Sequence, residues 1–590
     1  MYLSFGSAYK HITSQRFLLL ITLLGCCLMF AGRGVQWYRQ PASIGFHPME
    51  RTPVLSKYFT HARNVSMIQI VSALSMEQKL LRFELNRLHE LIRKQRKRLE
   101  IWRDPQRARP RSPTEHQEAQ AKKVVPTLRS VQKLFVNLHD MVSGAIVESQ
   151  SVTESASVLT PYDFKQRQEE SAVINRLLAA KMTEISAVHN KWREEAAYSA
   201  EDDFQTRLYK LQNPESCSSA KKLVCDMDRE GCGLGCQLHY GVTCIAASFA
   251  LNRTTILRLG NWIYTKGLTN RWEDYFVPPS PKCQWTPYSE PLTVWRNASH
   301  NALNTVLYPL DVFNVQYFKP FRVAESFADR LRHFHGRPWI WWIGQLLVNL
   351  FRVQTDFEDL FAKRAKAIGF KSPIVGVHVR RSDKTASEAR AYDLEAYMAL
   401  VEEYYDRLEL TQKVDQRRVF LASDAPSVYV EFRMKYPQYA LVHNQAAAKS
   451  SARKETRRSE DSLRGIMADM YFLAKTDHLV CTMSSNVCRI VYAVLQTRFP
   501  DATRRYDSVD IEYIYMGSNP LYHKAVHPNE AGVDGISLGF NVGDRIRVKD
   551  TYWNGTSYGL IVQQNGSWVE DKGQRGSFPA YKLQEDLEVF

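Results

Sequence analysis

Apolar positions between Met67 and Trp102 recur at intervals dominated by three, four and seven: Ile70, Leu74, Leu81, Leu85, Leu88, Ile92 and Leu99, with Glu, Arg and Lys between them. That period places the apolar side chains on one face of a long amphipathic helix and leaves a seam for a partner helix. An Arg- and Pro-rich break at Asp104–Pro113 ends it. Two further helical stretches follow, near Thr127–Ser149 and Asp163–Ala197, joined by the Ser/Thr-rich run Thr153–Pro161. Residues 67–212 are therefore predicted to form a helical stalk that associates with itself or packs on a globular part.

The pattern changes at Asn213-Pro214. Val242–Ala250 reads as a buried helix and Thr255–Leu259 as the strand after it. Pro373–Val379, Arg418–Ala422 and His478–Thr482 are short β-rich runs, with helical patterns at Asp393–Glu409 and Ser462–Ala474 between them. Such alternation predicts an α/β region with a mainly parallel sheet. It divides into a cysteine-rich part at 213–370 and a second part at 371–525. From 528 to 590 closely spaced strands at Arg545–Lys549, Gly559–Gln563 and Gly576–Pro579 alternate with the turn signals Asn554-Gly555 and Asn565-Gly566. They predict a small barrel.

At the other end, Phe17–Gly32 carries no charge, with Lys10 and Arg16 ahead of it and Arg33 and Arg39 behind. Two readings fit sixteen apolar residues: an uncleaved signal-anchor after a cytoplasmic tail at 1–16, or a cleavable signal peptide. The anchor is preferred, with a flexible stem at 33–66. Both send the rest of the chain into the secretory lumen. Sequons at Asn64, Asn252, Asn297, Asn554 and Asn565 agree.

Of ten cysteines, Cys26 and Cys27 lie in the apolar segment. The other eight are an even set, which in a lumenal protein reads as four disulfides; zinc is the competing reading of Cys232 and Cys236. The net charge is +16, but 16 basic against 7 acidic residues fall between Glu77 and Lys133 alone. The global charge thus says little about an active site, and a solvated helix face explains that stretch better than nucleic-acid binding.

The densest chemistry is Gly376-Val-His378-Val-Arg380-Arg381-Ser-Asp383-Lys384-Thr-Ala-Ser-Glu388. A strand ends and at once delivers two guanidiniums, an ammonium and two carboxylates. Ligands of open α/β sheets bind beyond the carboxyl ends of the strands. A guanidinium grips phosphate oxygens through two parallel hydrogen bonds, and a carboxylate can act as general base. A self-neutralising surface loop is the plainer alternative.

This run resembles the HVRRTDK-type motif of the core α1,6-fucosyltransferases, which add fucose to the innermost N-acetylglucosamine of N-glycans. Cys232-Gly-Leu-Gly-Cys236-Gln-Leu-His, Asn261-Trp-Ile-Tyr264, Trp341-Trp342, Ser462-Leu-Arg-Gly465 and Cys481-Thr-Met-Ser484-Ser485-Asn486-Val-Cys488-Arg489 match in order. The resemblance implies a GT-B-like α/β enzyme with a Rossmann-type nucleotide-sugar domain and an SH3-like barrel at 528–590. It implies an inverting transferase that uses GDP-β-L-fucose and needs no metal.

By that resemblance Arg380, with Ser484, Ser485 and Asn486, holds the diphosphate. Arg381 lies on the donor, His378 and Asp469 hold the guanine, and Tyr264 packs near the nucleotide's sugar. Glu388 is the base, steadied by Lys384. Asp424, Asp311, Asp383 and Tyr552 face the acceptor glycan. Ala425 and Tyr552 depart from the family's usual aspartate and histidine. The implied disulfides are Cys217–Cys283, Cys225–Cys244, Cys232–Cys236 and Cys481–Cys488. The implied setting is the Golgi membrane, type II, as a homodimer through the stalk and the barrel, with no nucleic-acid partner. Two alternatives share these motifs: a fucosyltransferase with another acceptor, and a non-catalytic glycan-binding protein on the same fold.

Overall fold

The computed structural model describes residues 192–227, 232–259, 262–265, 271–285, 292–309, 322–381, 391–444, 458–513, 522–532, 536–551, 555–569 and 574–590, together with Val131, Val136, Arg176 and Thr456. All of them belong to one compact unit made of residues 101–140 and 172–590. The apolar segment 17–32, the stem and the helix expected over 67–102 lie outside the described residues. Among the described residues no helix is long and apolar enough to cross a membrane.

A helix over 192–212 (α1) opens the described chain. It ends the stretch expected to form the stalk, and of the two arrangements expected for that stretch it takes packing on the globular part: Ala197, Ala200, Phe204 and Leu208 are buried in the main core. The Phe204 ring meets Trp342 edge-on at 4.7 Å, and Arg193 pairs with Asp501 at 2.5 Å. Arg176, also from the stalk stretch, reaches Glu403 at 2.7 Å. Apolar spacing along a helix shows that a face is covered; it does not show by what.

The first sheet is parallel, with order β2-β1-β3: Lys222–Asp226 (β1), Thr254–Arg258 (β2) and Thr305–Leu307 (β3). Between β1 and β2 runs Leu234–Ala250 (α2), buried from Leu234 to Ser248 apart from Cys236. An uninterrupted apolar helix like this one belongs inside a core. Cys225–Cys244 ties β1 to α2, Cys232–Cys236 staples the start of α2, and Cys217–Cys283 closes the outer edge.

Glu325–Phe334 (α3), Pro338–Leu350 (α4) and Thr355–Ala367 (α5) then lead to the second sheet. Pro338 sits in the first turn of α4, where a missing N–H costs nothing. A Cβ on Gly344 would press into the carbonyl of Ala493, so this glycine lets α4 lie against the helix that carries Ala493.

The second sheet has five parallel strands in the order β6-β5-β4-β7-β8. They are Ile374–Val379 (β4), Arg418–Ser423 (β5), Ala440–His443 (β6), His478–Cys481 (β7) and Tyr506–Ser508 (β8). Leu394–Glu409 (α6), Pro426–Lys435 (α7), Glu460–Leu473 (α8) and Asn486–Leu495 (α9) connect them. Every residue of β4 and of β7 is buried, as both-face coverage by helices requires. The chain leaves β4 toward β5 and β6, then returns to β7 on the other side of β4. The direction of winding therefore reverses at the crevice between β4 and β7.

An antiparallel sheet closes the chain: Tyr522–Ala525 (β9), Arg545–Thr551 (β10), Thr556–Gln564 (β11), Ser567–Trp568 (β12), Arg575–Pro579 (β13) and Leu583–Glu585 (β14). The order is β12-β11-β10-β9-β14, with β13 also on β11. Its core holds Leu538, Phe540, Ile546, Ile561 and Phe578. Asn565 and Gly566 both take positive φ, 49° and 83°, in the two-residue hairpin between β11 and β12. The expected boundary at 528 falls inside this module, because β9 pairs with β10 and β14. The segment after β14 then returns to the main core, where Val589 bridges Val323 and the Phe590 ring lies 6.0 Å from Trp342.

Candidate active site

Four segments leave the carboxyl edge of the second sheet side by side. Register sets His378 of β4 opposite Ala422 of β5 and Cys481 of β7. Arg380, Asp424 and the turn Thr482–Ser485 therefore emerge next to one another, with Asn444 following β6.

Arg380 pairs with Asp424, guanidinium nitrogen to carboxylate oxygen, at 3.2 Å. The Asp424 side chain is only 4% exposed. Its other oxygen accepts the Arg381 backbone N–H at 2.9 Å. A carboxylate this dry needs such partners, since an unpaired buried charge is costly. Asp424, expected to face the acceptor, thus braces the two arginines after β4.

The Arg381 guanidinium turns away toward α7, where it meets Glu431 at 2.6 Å. Burial alone would raise the Glu431 carboxyl, but Arg381 and Lys435 together hold it below the usual range. Arg381 was expected on the donor. The structure shows it in this ion pair, which spacing along the chain could not reveal.

On the other flank of β4, Ser485 begins α9, and its own side chain does not cap the first turn. Its opening N–H groups form a site of partial positive charge suited to an anion. The turn ahead of it is fixed by Asp510, whose carboxylate accepts from the N–H groups of Met483 at 2.7 Å and Ser484 at 3.3 Å. It also accepts from the Ser508 hydroxyl at 2.9 Å. The disulfide Cys481–Cys488 closes the loop that carries Ser484, Ser485 and Asn486. The His378 ring approaches Cys488 Sγ at 3.4 Å.

Helix α2 of the first sheet brings its own amino end to this place. A Cβ on Gly235 would lie 3.0 Å from Cβ of Asn486, so only a bare backbone lets α2 and α9 meet this closely. The Leu234 N–H donates to the Tyr264 hydroxyl at 2.8 Å. Tyr264, expected beside the nucleotide's sugar, caps α2 and packs on Trp262 at 5.6 Å. The Asn486 amide oxygen accepts from Arg489 on its own helix. Burial, with the Arg489 charge behind it, pushes the His239 imidazole down to about 3.

Asp469 lies on the buried face of α8 and is 5% exposed. Burial raises its carboxyl well above the usual range, while the neighbouring Asn444 amide and the Arg364 charge pull the other way. One of its oxygens has no hydrogen-bond partner.

Of the remaining expected site residues, Asp311, Asp383, Lys384, Glu388 and Tyr552 lie outside the described residues. Asp510, Glu431 and Asn444 were not foreseen. Asp510 and Glu431 act by folding back from 26 or more residues away, and Asn444 carries no motif.

A family model described as the alpha-(1,6)-fucosyltransferase N- and catalytic domains matches residues 60–515. This chain belongs to that family. An alpha-(1,6)-fucosyltransferase of Drosophila melanogaster is 38% identical over 403 residues, covering 68% of this chain and 62% of the relative. The chain thus spans less than two thirds of that relative's length. One of Caenorhabditis elegans is 29% identical over 479 residues, covering 79% of this chain and 80% of the relative.

Among solved structures, NodZ alpha-1,6-fucosyltransferase soaked with GDP-fucose is 12% identical with a TM-score of 0.31, covering 47% of this chain and 92% of the other. POFUT1 in complex with GDP is 13% identical with a TM-score of 0.28, covering 49% and 98%.

Proposed function

We propose that this chain is an inverting glycosyltransferase that moves L-fucose from GDP-β-L-fucose to the 6-hydroxyl of the asparagine-linked N-acetylglucosamine of N-glycans. Family membership supports fucosyl transfer. The observation that carries the site is the emergence of Arg380 and of the start of α9 from neighbouring strands, at the crevice where the second sheet reverses its winding. Sheets of this kind bind nucleotides at that crevice.

In this reading the acceptor O6 attacks C1 of fucose from the face opposite the diphosphate. The C1–O bond to the β-phosphate breaks and its electron pair leaves with GDP. The acceptor proton passes to Glu388, whose carboxylate Lys384 steadies. Arg380 and the α9 N–H groups stabilise the charge that grows on the leaving group, with Asp424 aiming the guanidinium. That is a task a divalent cation performs in other transferases, and Arg380 takes it over without one. Asp469 reads the guanine edge.

The first and second sheets are the two lobes of a GT-B-like body, and the antiparallel module is SH3-like. The enzyme works in the Golgi lumen, held by residues 17–32 as a type II anchor and paired through its stalk. Incubating the lumenal part with GDP-fucose and a defined N-glycan, with linkage read by mass spectrometry, tests the reading. Fucose on another position, or none, would refute it.

A further inference from the structure

Helix α2 ends at Ala250, and the chain turns through Leu251 and Asn252 into β2. Asn252 takes a positive φ of 53°, and its N–H donates to the Phe249 carbonyl at 3.3 Å. Glycine enters such a left-handed turn at least cost, and asparagine comes next. The turn alone therefore gives no reason for a side chain. The one present is exposed and forms no hydrogen bond among the described residues. It heads Asn252-Arg253-Thr254, one of the chain's sequons.

The same side chain lines an open cavity of about 700 Å³ between the end of α1, the end of α2 and the start of β2. That volume is ordinary for a small-molecule site. Phe249 and Leu211 form its apolar wall. The Phe249 ring is held against Phe204 at 5.3 Å and Trp342 at 5.4 Å. Arg207, Lys210 and Lys221 supply N–H donors. Two of these are fixed in place, Arg207 by Asp203 at 2.8 Å and Lys221 by the Asn301 carbonyl at 2.9 Å. A fixed ring beside fixed donors suits a pyranose, which has an apolar ring face and a rim of hydroxyl and acetamide oxygens.

We propose that Asn252 is a glycosylation site and that the N-acetylglucosamine bonded to it lies in this cavity, across Phe249. This rests on the lumenal location proposed above. The co-reactant is an oligosaccharide carried on a lipid diphosphate, joined by a transferase of the secretory pathway. The Asn252 amide nitrogen bonds to C1 of the terminal sugar and gives up a proton. The C1–O bond breaks, and its electron pair leaves with the lipid diphosphate. In the folded protein Thr254 is 2% exposed and its hydroxyl donates to the Leu211 carbonyl at 3.0 Å, so attachment precedes the pairing of β2 with β1. The covalent tether then holds the first sugar at high effective concentration over the cavity, and weak contacts suffice to seat it.

Peptide mapping of the full chain, made in a eukaryotic secretory host, tests the proposal. Release by a peptide N-glycosidase in heavy-oxygen water should mark Asn252 with one heavy oxygen. Native protein should yield this glycan about tenfold more slowly than unfolded protein, because the glycosidase must wait for the cavity to open. Asn252→Gly, which keeps the left-handed turn, should melt a few degrees below the glycosylated wild type. Enzymatically deglycosylated wild type should fall by the same amount. Thr254→Ser should keep both the glycan and the stability. A bare Asn252 in a chain whose cysteines have paired overturns the proposal. So does an Asn252 glycan released equally fast from native and unfolded protein; neither result needs a variant that folds. A chain with neither glycans nor disulfides refutes the lumenal location itself.

Discussion

Arg380 and Asp424 meet at 3.2 Å across the ends of two neighbouring parallel strands, and the carboxylate of the pair is almost wholly dry. Asp424 also accepts the next residue's backbone N–H, so it fixes the path of the chain as well as the guanidinium. Arg380→Ala should abolish transfer and weaken GDP binding by two or more orders of magnitude, since the diphosphate loses its main cation. Asp424→Asn should keep some binding and lower kcat by about tenfold to a hundredfold through a misaimed arginine. Undiminished GDP affinity in Arg380→Ala, measured by calorimetry, would refute the phosphate assignment.

Glu388→Gln should leave GDP binding intact and stop turnover, because the amide cannot take the acceptor proton. Rate and affinity are to be measured on the same preparation. A variant that retains more than a few per cent of wild-type kcat would remove Glu388 from the base role.

The mechanism assigns no metal. Turnover should be unchanged after dialysis against a chelator and unaffected by added manganese or magnesium. An inactive dialysed enzyme that manganese restores would replace the arginine-centred account with a metal-centred one.

His239 is buried against the Gly235 carbonyl at 2.7 Å, with its imidazole pushed down to about 3. Its unfolded value is about 6.5. Between those two values the unfolded chain binds a proton that the folded chain refuses, so stability rises with pH across that window and is lost on acidification. The melting temperature should therefore fall as pH is lowered from about 6.5. The His239→Gln variant should show a shallower fall. Parallel profiles for the two proteins would exclude His239 as a source of acid sensitivity.

Gly344→Ala should destabilise the protein by about 1–3 kcal/mol, because the added methyl has nowhere to go but into the Ala493 carbonyl. A lower urea midpoint with an unchanged slope is the expected result. An unchanged midpoint would mean that α4 and α9 can separate freely.

What the sequence disclosed follows from the kind of signal each element carries. β4, β5 and β7 were legible because a strand covered on both faces reads as an unbroken apolar run. The hairpin at Asn565-Gly566 was legible because its backbone conformation admits few residue types. His378 and Arg380 stood out through a local motif. Partners that come from afar left no trace. Nothing near Arg381 announces Glu431, fifty residues on. Nothing near Ser484 announces Asp510. Asp469 was legible only by resemblance, and its dryness depends on how α8 is turned against the sheet. The end of the stalk was left open between two arrangements for a related reason: the stripe on α1 looks the same whether its partner is another helix or a wall of tryptophans.

The seat of Phe204 among Trp341, Trp342 and Phe327 bears on how this protein can be cut. A recombinant fragment trimmed to begin near Cys217, where the cysteines start, would leave an aromatic slot open to water and invite aggregation. The shortest piece worth purifying starts upstream of residue 192.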